Sequence, residues 1–424
     1  MLRVAMLSVH TCPLAPLGGW ETGGMNVYVR ALGRQLSALG LEIDIYTRRQ
    51  AAELPAVVEP VEGMRVLHLE AGPPVPLHKE RVVEYLPEFV AGVERQAARL
   101  PGGYDLIHAH YWLSAQVGLM LKAHWGVPLV VMFHTLARMK NRVLADGPER
   151  ESARRAAIEQ QAMLHADRVI AASAADRRQL LEHYLLSPAK ISVVPGGVDL
   201  DRFRPLDLAA ARAALGLTAR YVLLYVGRIQ RLKGIDLLLG AAARLARDYP
   251  ALGSELAVLI VGGRPNNDDS PEQAELRRLR ALACQLGIAD RVQFVGAVAQ
   301  EQLPLYYAAA DATVVPSLYE SFGLVAIESM ACGTPVVAAR VGGLASTVRD
   351  GETGFLVPTR DPARYAERLA QLLSDRSLRA RLAHQARRYA LRYDWAQIAE
   401  EIYGIYCGLV HCEHRLPLPA AAAS

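Results

Sequence analysis

Cysteine is scarce in this chain. Five among 424 residues, an odd number and widely scattered, exclude a disulfide framework. Cys407, His411, Cys412 and His414 crowd together in GIYCGLVHCEH, but without the paired spacing of a zinc site, so chance clustering is the expectation. Aromatic residues make up only 6% against 52% hydrophobic, the balance of an Ala/Leu/Val-rich α/β protein. No run of about 18 apolar residues occurs, and MLRVAMLSVH is too short and strand-like for a secretory leader. A soluble, cytoplasmic protein with no stable membrane insertion is expected. Charge of one sign is also missing: 47 Lys+Arg against 43 Asp+Glu leave +4, too mild to imply nucleic acid. Neither G-x-G-x-x-G nor G-x-x-x-x-G-K-[ST] follows the first strand, which counts against nicotinamide and P-loop chemistry.

What is present is alternation. The length is too great for one ordinary core, so two domains of roughly 200 residues each are expected. Strand-like runs at 2–9, 43–46, 66–69, 106–110, 129–133, 169–172 and 191–194 alternate with helical patterns, among them 27–39 with Gly40 as its stop. That pattern predicts a parallel, doubly wound sheet. The first strand opens into HTCPLAPLGGWETGGMN, with glycines at 18, 19, 23 and 24, long enough to be a mobile lid over a ligand. The segment at 195–199, PGGVD, reads as a linker. A second α/β series follows with strands at 221–226, 256–261, 292–295, 313–315 and 336–338. The boundaries are therefore 1–195, 199–390, a helix crossing back at about 395–412 within the long pattern 389–409, and a disordered tail at 413–424.

Two stretches of the second half carry chemistry. In YVLLYVGRIQRLKGIDLLL a strand ends at Gly227, Arg228 and Lys233 occupy the loop, and a helix begins near Gly234. Two cations beside a helix start suit a diphosphate. In PSLYESFGLVAIESMACGTP, Glu320 stands in a strand-to-helix loop and Glu328 about two turns along the helix, where carboxylates can accept from sugar hydroxyls. Taken singly, such residues are more often solvated surface charges. Their combination shifts the balance.

GR-x4-KG, the Glu-x7-Glu of ESFGLVAIE and the early GGMNVYV together resemble the retaining glycosyltransferases of family 4. The likeness runs from Arg3 to about Tyr406, and HTCPL, DIYTR, DLIHAHYWLS and HTLARMKN bring it nearest to members that use inositol phosphate, with fructose 6-phosphate users close behind. It implies the α/β GT-B fold, two doubly wound Rossmann-like domains facing across a cleft. It further implies a UDP-sugar donor carrying glucose or N-acetylglucosamine and a phosphorylated small-molecule acceptor. By this resemblance Arg228 and Lys233 neutralise the donor diphosphate, Glu320 and His134 hold the donor sugar, and Glu328 accepts from the ribose. Gly24 and the amides of Phe322, Gly323 and Leu324 approach the phosphates and sugar, while the Val298 backbone grips uracil. His10, Asn26, Lys79, Tyr111, Thr135 and Arg154 (or its neighbour Arg155) take the acceptor.

The implied mechanism has no protein nucleophile: the acceptor hydroxyl enters on the face the diphosphate leaves, with retention. No Asp-x-Asp is placed to hold a metal on the diphosphate, so no catalytic metal is expected, and a structural Mg2+ stays open. Members like this often pair, which makes a homodimer an expectation. The competing readings are transfer to fructose 6-phosphate and a nucleotide-sugar-binding protein without turnover.

Overall fold

The computed structural model describes residues 2–16, 22–144, 150–263, 270–358 and 360–410. Glycines 18 and 19, residues 145–149, the end of the crossing helix, the tail, and His411, Cys412 and His414 lie outside them.

The first domain is built on β1 (Arg3–Leu7), β2 (Glu42–Arg48), β3 (Val57–Val61), β4 (Met64–Leu69), β5 (Leu106–His110), β6 (Leu129–Met132), β7 (Arg168–Ala171) and β8 (Ile191–Val193). Their order is β3-β4-β2-β1-β5-β6-β7-β8. All pair in parallel except β3, which runs antiparallel to β4. The second domain uses β9 (Tyr221–Val226), β10 (Leu256–Val261), β11 (Val292–Gly296), β12 (Ala312–Val315), β13 (Val336–Ala339) and β14 (Gly354–Val357), all parallel, in the order β11-β10-β9-β12-β13-β14. Helices cover both faces, which is why the central strands read as unbroken apolar runs. Val4, Ala5, Met6 and Leu7 of β1 are all fully buried.

Two strands escape the sequence pattern. β3 carries Pro60 and faces water along most of its length, as an edge strand can. β14 is four residues opening on a glycine, and Gly354 is needed because a Cβ there would lie 2.1 Å from the Val336 carbonyl oxygen.

The chain crosses between domains twice, side by side. Val198 N–H donates to the Tyr393 carbonyl at 2.7 Å, and Gly197 lies so close to Trp395 that a Cβ would meet its ring at 2.5 Å. The expected helix across 389–409 is in fact two. The first ends at Ala390, a short turn (Leu391–Tyr393) intervenes, and Asp394 caps a second, Trp395–Val410, through the Ala396 N–H at 3.0 Å. That last helix packs on the first domain: Tyr406 bonds His108 Nδ1 at 2.6 Å, and Trp395 meets Tyr28 edge-on at 5.2 Å.

Candidate functional site

In each sheet the chain winds outward in both directions from one central strand: β1 sits between β2 and β5, and β9 between β10 and β12. Ligands of open α/β sheets bind beyond the carboxyl ends of the strands at such points. Both points are crowded with polar side chains here.

On the second domain, the Tyr225 hydroxyl donates to the Arg228 carbonyl at 2.7 Å and sets the turn after β9. Lys233 closes a short 3-10 turn before Gly234, whose φ of +65 and closeness to the Pro316 carbonyl (2.2 Å from a notional Cβ) leave no room for a side chain. This contact holds the Lys233 loop against the loop after β12. Lys233 Nζ there meets Glu320 Oε2 at 2.6 Å. Gly323, at φ +91, turns the chain into the helix Leu324–Ala331. First-turn amides of a helix lack partners within it, and among the described residues no backbone acceptor takes up those of Phe322, Gly323 and Leu324. The Phe322 ring itself packs inward against Tyr393. Glu328 is buried and accepts from the Tyr307 hydroxyl at 2.8 Å; burial raises its carboxyl to about 7. Val298 is half-buried in the loop after β11.

The first domain reaches across to meet these groups. A Cβ on Gly23 would stand 3.7 Å from Arg228 Nε, and one on Gly24 3.1 Å from Leu324 Cδ1. So Arg228 faces the cleft between the domains. Asn26 is spent on this loop: its amide donates to Thr11 Oγ1 (2.8 Å) and the Cys12 carbonyl (2.7 Å) and accepts from Gly23 N–H (3.0 Å). In this arrangement Asn26 fastens the glycine loop.

Two of the three non-glycine residues with positive φ among those described are expected site residues, Tyr111 (φ 79) and His134 (φ 60). Such conformations cost roughly 1–3 kcal/mol each and persist where the surroundings enforce them. Tyr111 is held by its N–H on the Met132 carbonyl (2.8 Å) and by Arg155 Nη1 on its hydroxyl (2.9 Å). His134 Nε2 meets His110 Nδ1 at 3.1 Å. His10 stacks on Tyr111 with centroids 4.5 Å apart. Burial, then the charges of Lys79, Arg155 and Arg228, depress the His10 imidazole to about 3, and burial alone does the same for His134. Both rings are neutral at ordinary pH and can accept or donate one hydrogen bond.

Beyond Tyr111 lies a knot of cations. Lys79 Nζ meets Glu151 Oε2 at 2.6 Å, Arg155 Nη1 meets Glu151 Oε1 at 2.9 Å, and Lys140 Nζ bonds the same Oε1. Arg155 also donates to the Thr135 carbonyl (2.7 Å) and Oγ1 (3.1 Å) and to Glu159 (2.7 Å), and lies over the Tyr111 ring. Arg154 points outward and is exposed. The choice of Arg154 is corrected accordingly: with Ser152 as N-cap, the helix Ala153–His165 turns Arg155 and Glu159, one turn apart, onto its inner face. Burial alone would raise the Glu151 carboxyl, but Arg155, Lys140 and Lys79 outweigh it and hold it below the ordinary carboxylate range. Burial brings Lys140 down to about 8 despite Glu151. Sequence reasoning missed Lys140, Glu151 and Tyr307. Lys140 lies in HTLARMKN, where its place beside His134 was the available signal; nothing marks Glu151 in a run of charges.

Among the described residues no group of three or more His, Cys, Asp or Glu side chains is arranged to hold a metal, and no helix is long and apolar enough to cross a membrane.

Comparison with known proteins gives a consistent picture. The family profile for glycosyl transferases group 1 matches residues 209–389, and that for glycosyltransferase family 4 matches residues 22–202. The chain is similar to the D-inositol 3-phosphate glycosyltransferase of Geodermatophilus obscurus, 48% identical over 407 residues, 95% of this chain and 89% of the relative. It is 47% identical to the protein of that name from Acidothermus cellulolyticus, over 95% of this chain and 90% of that one. Among solved structures, sucrose-phosphate synthase from Thermosynechococcus elongatus superposes with a TM-score of 0.90 at 36% identity, covering 97% of this chain and all of that one (100%). Anabaena HepE in complex with UDP-glucose shares the fold, with a TM-score of 0.75 at 22% identity over 96% of this chain and 100% of that one.

Proposed function

The chain belongs to the family 4 glycosyltransferases of GT-B fold, and from that premise we infer that it moves a hexosyl group from a UDP-sugar to a phosphorylated polyol, with inositol phosphate the leading acceptor and retention at the anomeric carbon. One observation carries the reading. Arg228 and Lys233 on one side of the cleft, and Lys79, Lys140 and Arg155 on the other, form two separate cationic sites, and the neutral His10 lies within reach of the charges of Lys79, Arg155 and Arg228. A diphosphate and a monophosphate held at these two sites would bring the transferred sugar and the acceptor hydroxyl together in the space between.

The chemistry follows from charge. Negative charge grows on the departing diphosphate in the transition state, and fixed cations in a cleft that excludes water stabilise it more than they stabilise the bound donor. Arg228 offers paired donors and Lys233 a point charge. Glu320 aims Lys233 and would exchange part of that contact for a donor-sugar hydroxyl. The leaving phosphate oxygen takes the acceptor proton, so no side-chain base is required. Glu328 would receive the ribose hydroxyls, and the amides of Phe322, Gly323 and Leu324 the phosphate or sugar oxygens. Transfer to fructose 6-phosphate is the second reading, favoured by the likeness to the sucrose-phosphate synthase structure.

The test is a crossed assay of UDP-glucose and UDP-N-acetylglucosamine against inositol 3-phosphate and fructose 6-phosphate, products read by mass spectrometry. One pair should dominate. Lys233→Ala should lower kcat by about a hundredfold or more, as loss of a transition-state contact does, while Lys79→Ala should chiefly raise acceptor KM. Wild-type acceptor kinetics in the Lys79 variant would end the phosphate-site reading.

A further inference from the structure

We propose that Glu151 is a charge filter: its carboxylate holds the acceptor-phosphate site when that site is empty, Lys140 is the third cation of the site, and only a dianion displaces the carboxylate efficiently. This rests on the acceptor-phosphate reading above and deepens it.

Glu151 is placed as an anionic ligand would be. Its side chain is 1% exposed, and both oxygens are taken by cations from three elements: Lys79 from the turn before Leu86, Lys140 from the helix Ala137–Val143, and Arg155 from the helix Ala153–His165. Among the described residues Glu151 is the hydrogen-bonding partner of both lysines, and each ammonium keeps further N–H groups for a ligand. Glu159 differs. It is fully buried, serves the Ala137 amide, Tyr184 and Arg155 together, and has no reason to move. The cluster therefore has three positive charges, one permanent negative charge and one that can be exchanged.

The exchange needs only a side-chain rotation. The Glu151 backbone is pinned by Asn141 at both groups, N–H to Oδ1 at 2.8 Å and C=O from Nδ2 at 2.9 Å. When Glu151 turns away, the site holds the incoming anion against three cations and Glu159. A monoanion exchanges one unit of charge for another and gains little. A neutral polyol gains nothing and leaves the cations unmatched. A phosphomonoester, close to −2 above its second ionisation near pH 6, gains a full unit of attraction in a poorly solvated site and adds more acceptor oxygens. Every acceptor must first outcompete an internal anion, so the apo structure sets an affinity threshold that a dianion, drawn most strongly by the three cations, clears.

The experiment compares wild type with Glu151→Gln, which keeps shape and removes charge. Inorganic phosphate and dimethyl phosphate are titrated calorimetrically at pH 7.5 into the UDP-bound enzyme, and turnover is followed with inositol 3-phosphate. The filter requires tighter binding of both anions in the variant, each by about tenfold or more, with phosphate held more tightly than dimethyl phosphate in both proteins. If both affinities weaken together or stay unchanged, Glu151 is a permanent counter-ion and the proposal is wrong. Should the variant fail to fold, wild type alone decides: dimethyl phosphate inhibiting transfer as strongly as phosphate overturns the filter. Lys79→Ala separates the two levels. If it alters neither anion binding nor acceptor KM, the acceptor-phosphate reading falls, whatever Glu151 does.

Discussion

At the scale of single residues, the site turns on groups that burial has pushed away from their ordinary ionisation. Glu328 is the clearest. Its carboxyl is raised to about 7 by loss of water, so it carries a proton over much of the acid range. The folded pKa lies above the unfolded one, so the protonated form favours the fold below pH ~4.5, and that contribution fades as pH rises to about 7. A ribose donating hydrogen bonds to the carboxylate would reverse the shift. UDP binding should therefore release a proton between about pH 6 and 7 and tighten as pH rises through that window. Calorimetry in buffers of different ionisation enthalpy reads the released proton, and Glu328→Gln should abolish it. Proton uptake on binding would remove Glu328 from the ribose. Arg228, Lys233, Glu320 and Glu328 could be named from sequence because their spacing follows the strand–loop–helix repeat. Arg155 could not be separated from Arg154, since only the phase of a helix after a loop of uncertain length decides which side chain turns inward. That Asn26 holds the glycine loop could not be read either, because a polar residue beside such a loop can face a ligand or hold the backbone, and sequence does not say which.

Elements carry the next level of constraint. The central strands were readable because both faces are covered and each is a solid apolar run. β3, with Pro60, and the four-residue β14 lack that signal. The tight turns were only half legible. Gly234 was visible as a helix start, but its packing on Pro316 was not. That packing makes a prediction. Gly234→Ala places a methyl 2.2 Å from a carbonyl oxygen at a left-handed φ of +65. It should cost roughly 2 kcal/mol or more of stability, and it should pull the Lys233 turn away from Glu320. Denaturant unfolding should show the loss, and kcat should fall further than UDP affinity. Gly216, at the same φ of +65 but with nothing within 4 Å, is the control: Gly216→Ala bears the backbone strain alone and should spare turnover.

For the whole molecule, the question is what would let the two sheets approach and part, as the proposed transfer requires. The two crossings touch each other at Val198 and Tyr393, and the returning helix is anchored to the first domain through Tyr406–His108 and Trp395–Tyr28. Motion between the domains would pass through these two crossing segments, since hinges are the few linker residues that absorb the change in backbone angles. Gly197 sits at its tightest point, against the Trp395 ring. PGGVD marked the linker in the sequence, but that the second glycine exists to admit a tryptophan nearly 200 residues later is a fact of packing alone. Gly197→Ala forces the ring aside and so shifts the resting angle between domains. Arg228 and Lys233, the proposed donor cations, both belong to the second domain and are untouched, so UDP affinity should stay within about twofold. Turnover needs the Gly23–Gly24 loop and the acceptor cations brought to the donor, and misplacement by about 1 Å should cost kcat tenfold or more. Calorimetric UDP binding set beside steady-state kinetics decides it. If affinity and kcat fall together, or neither moves, closure does not turn about these crossings.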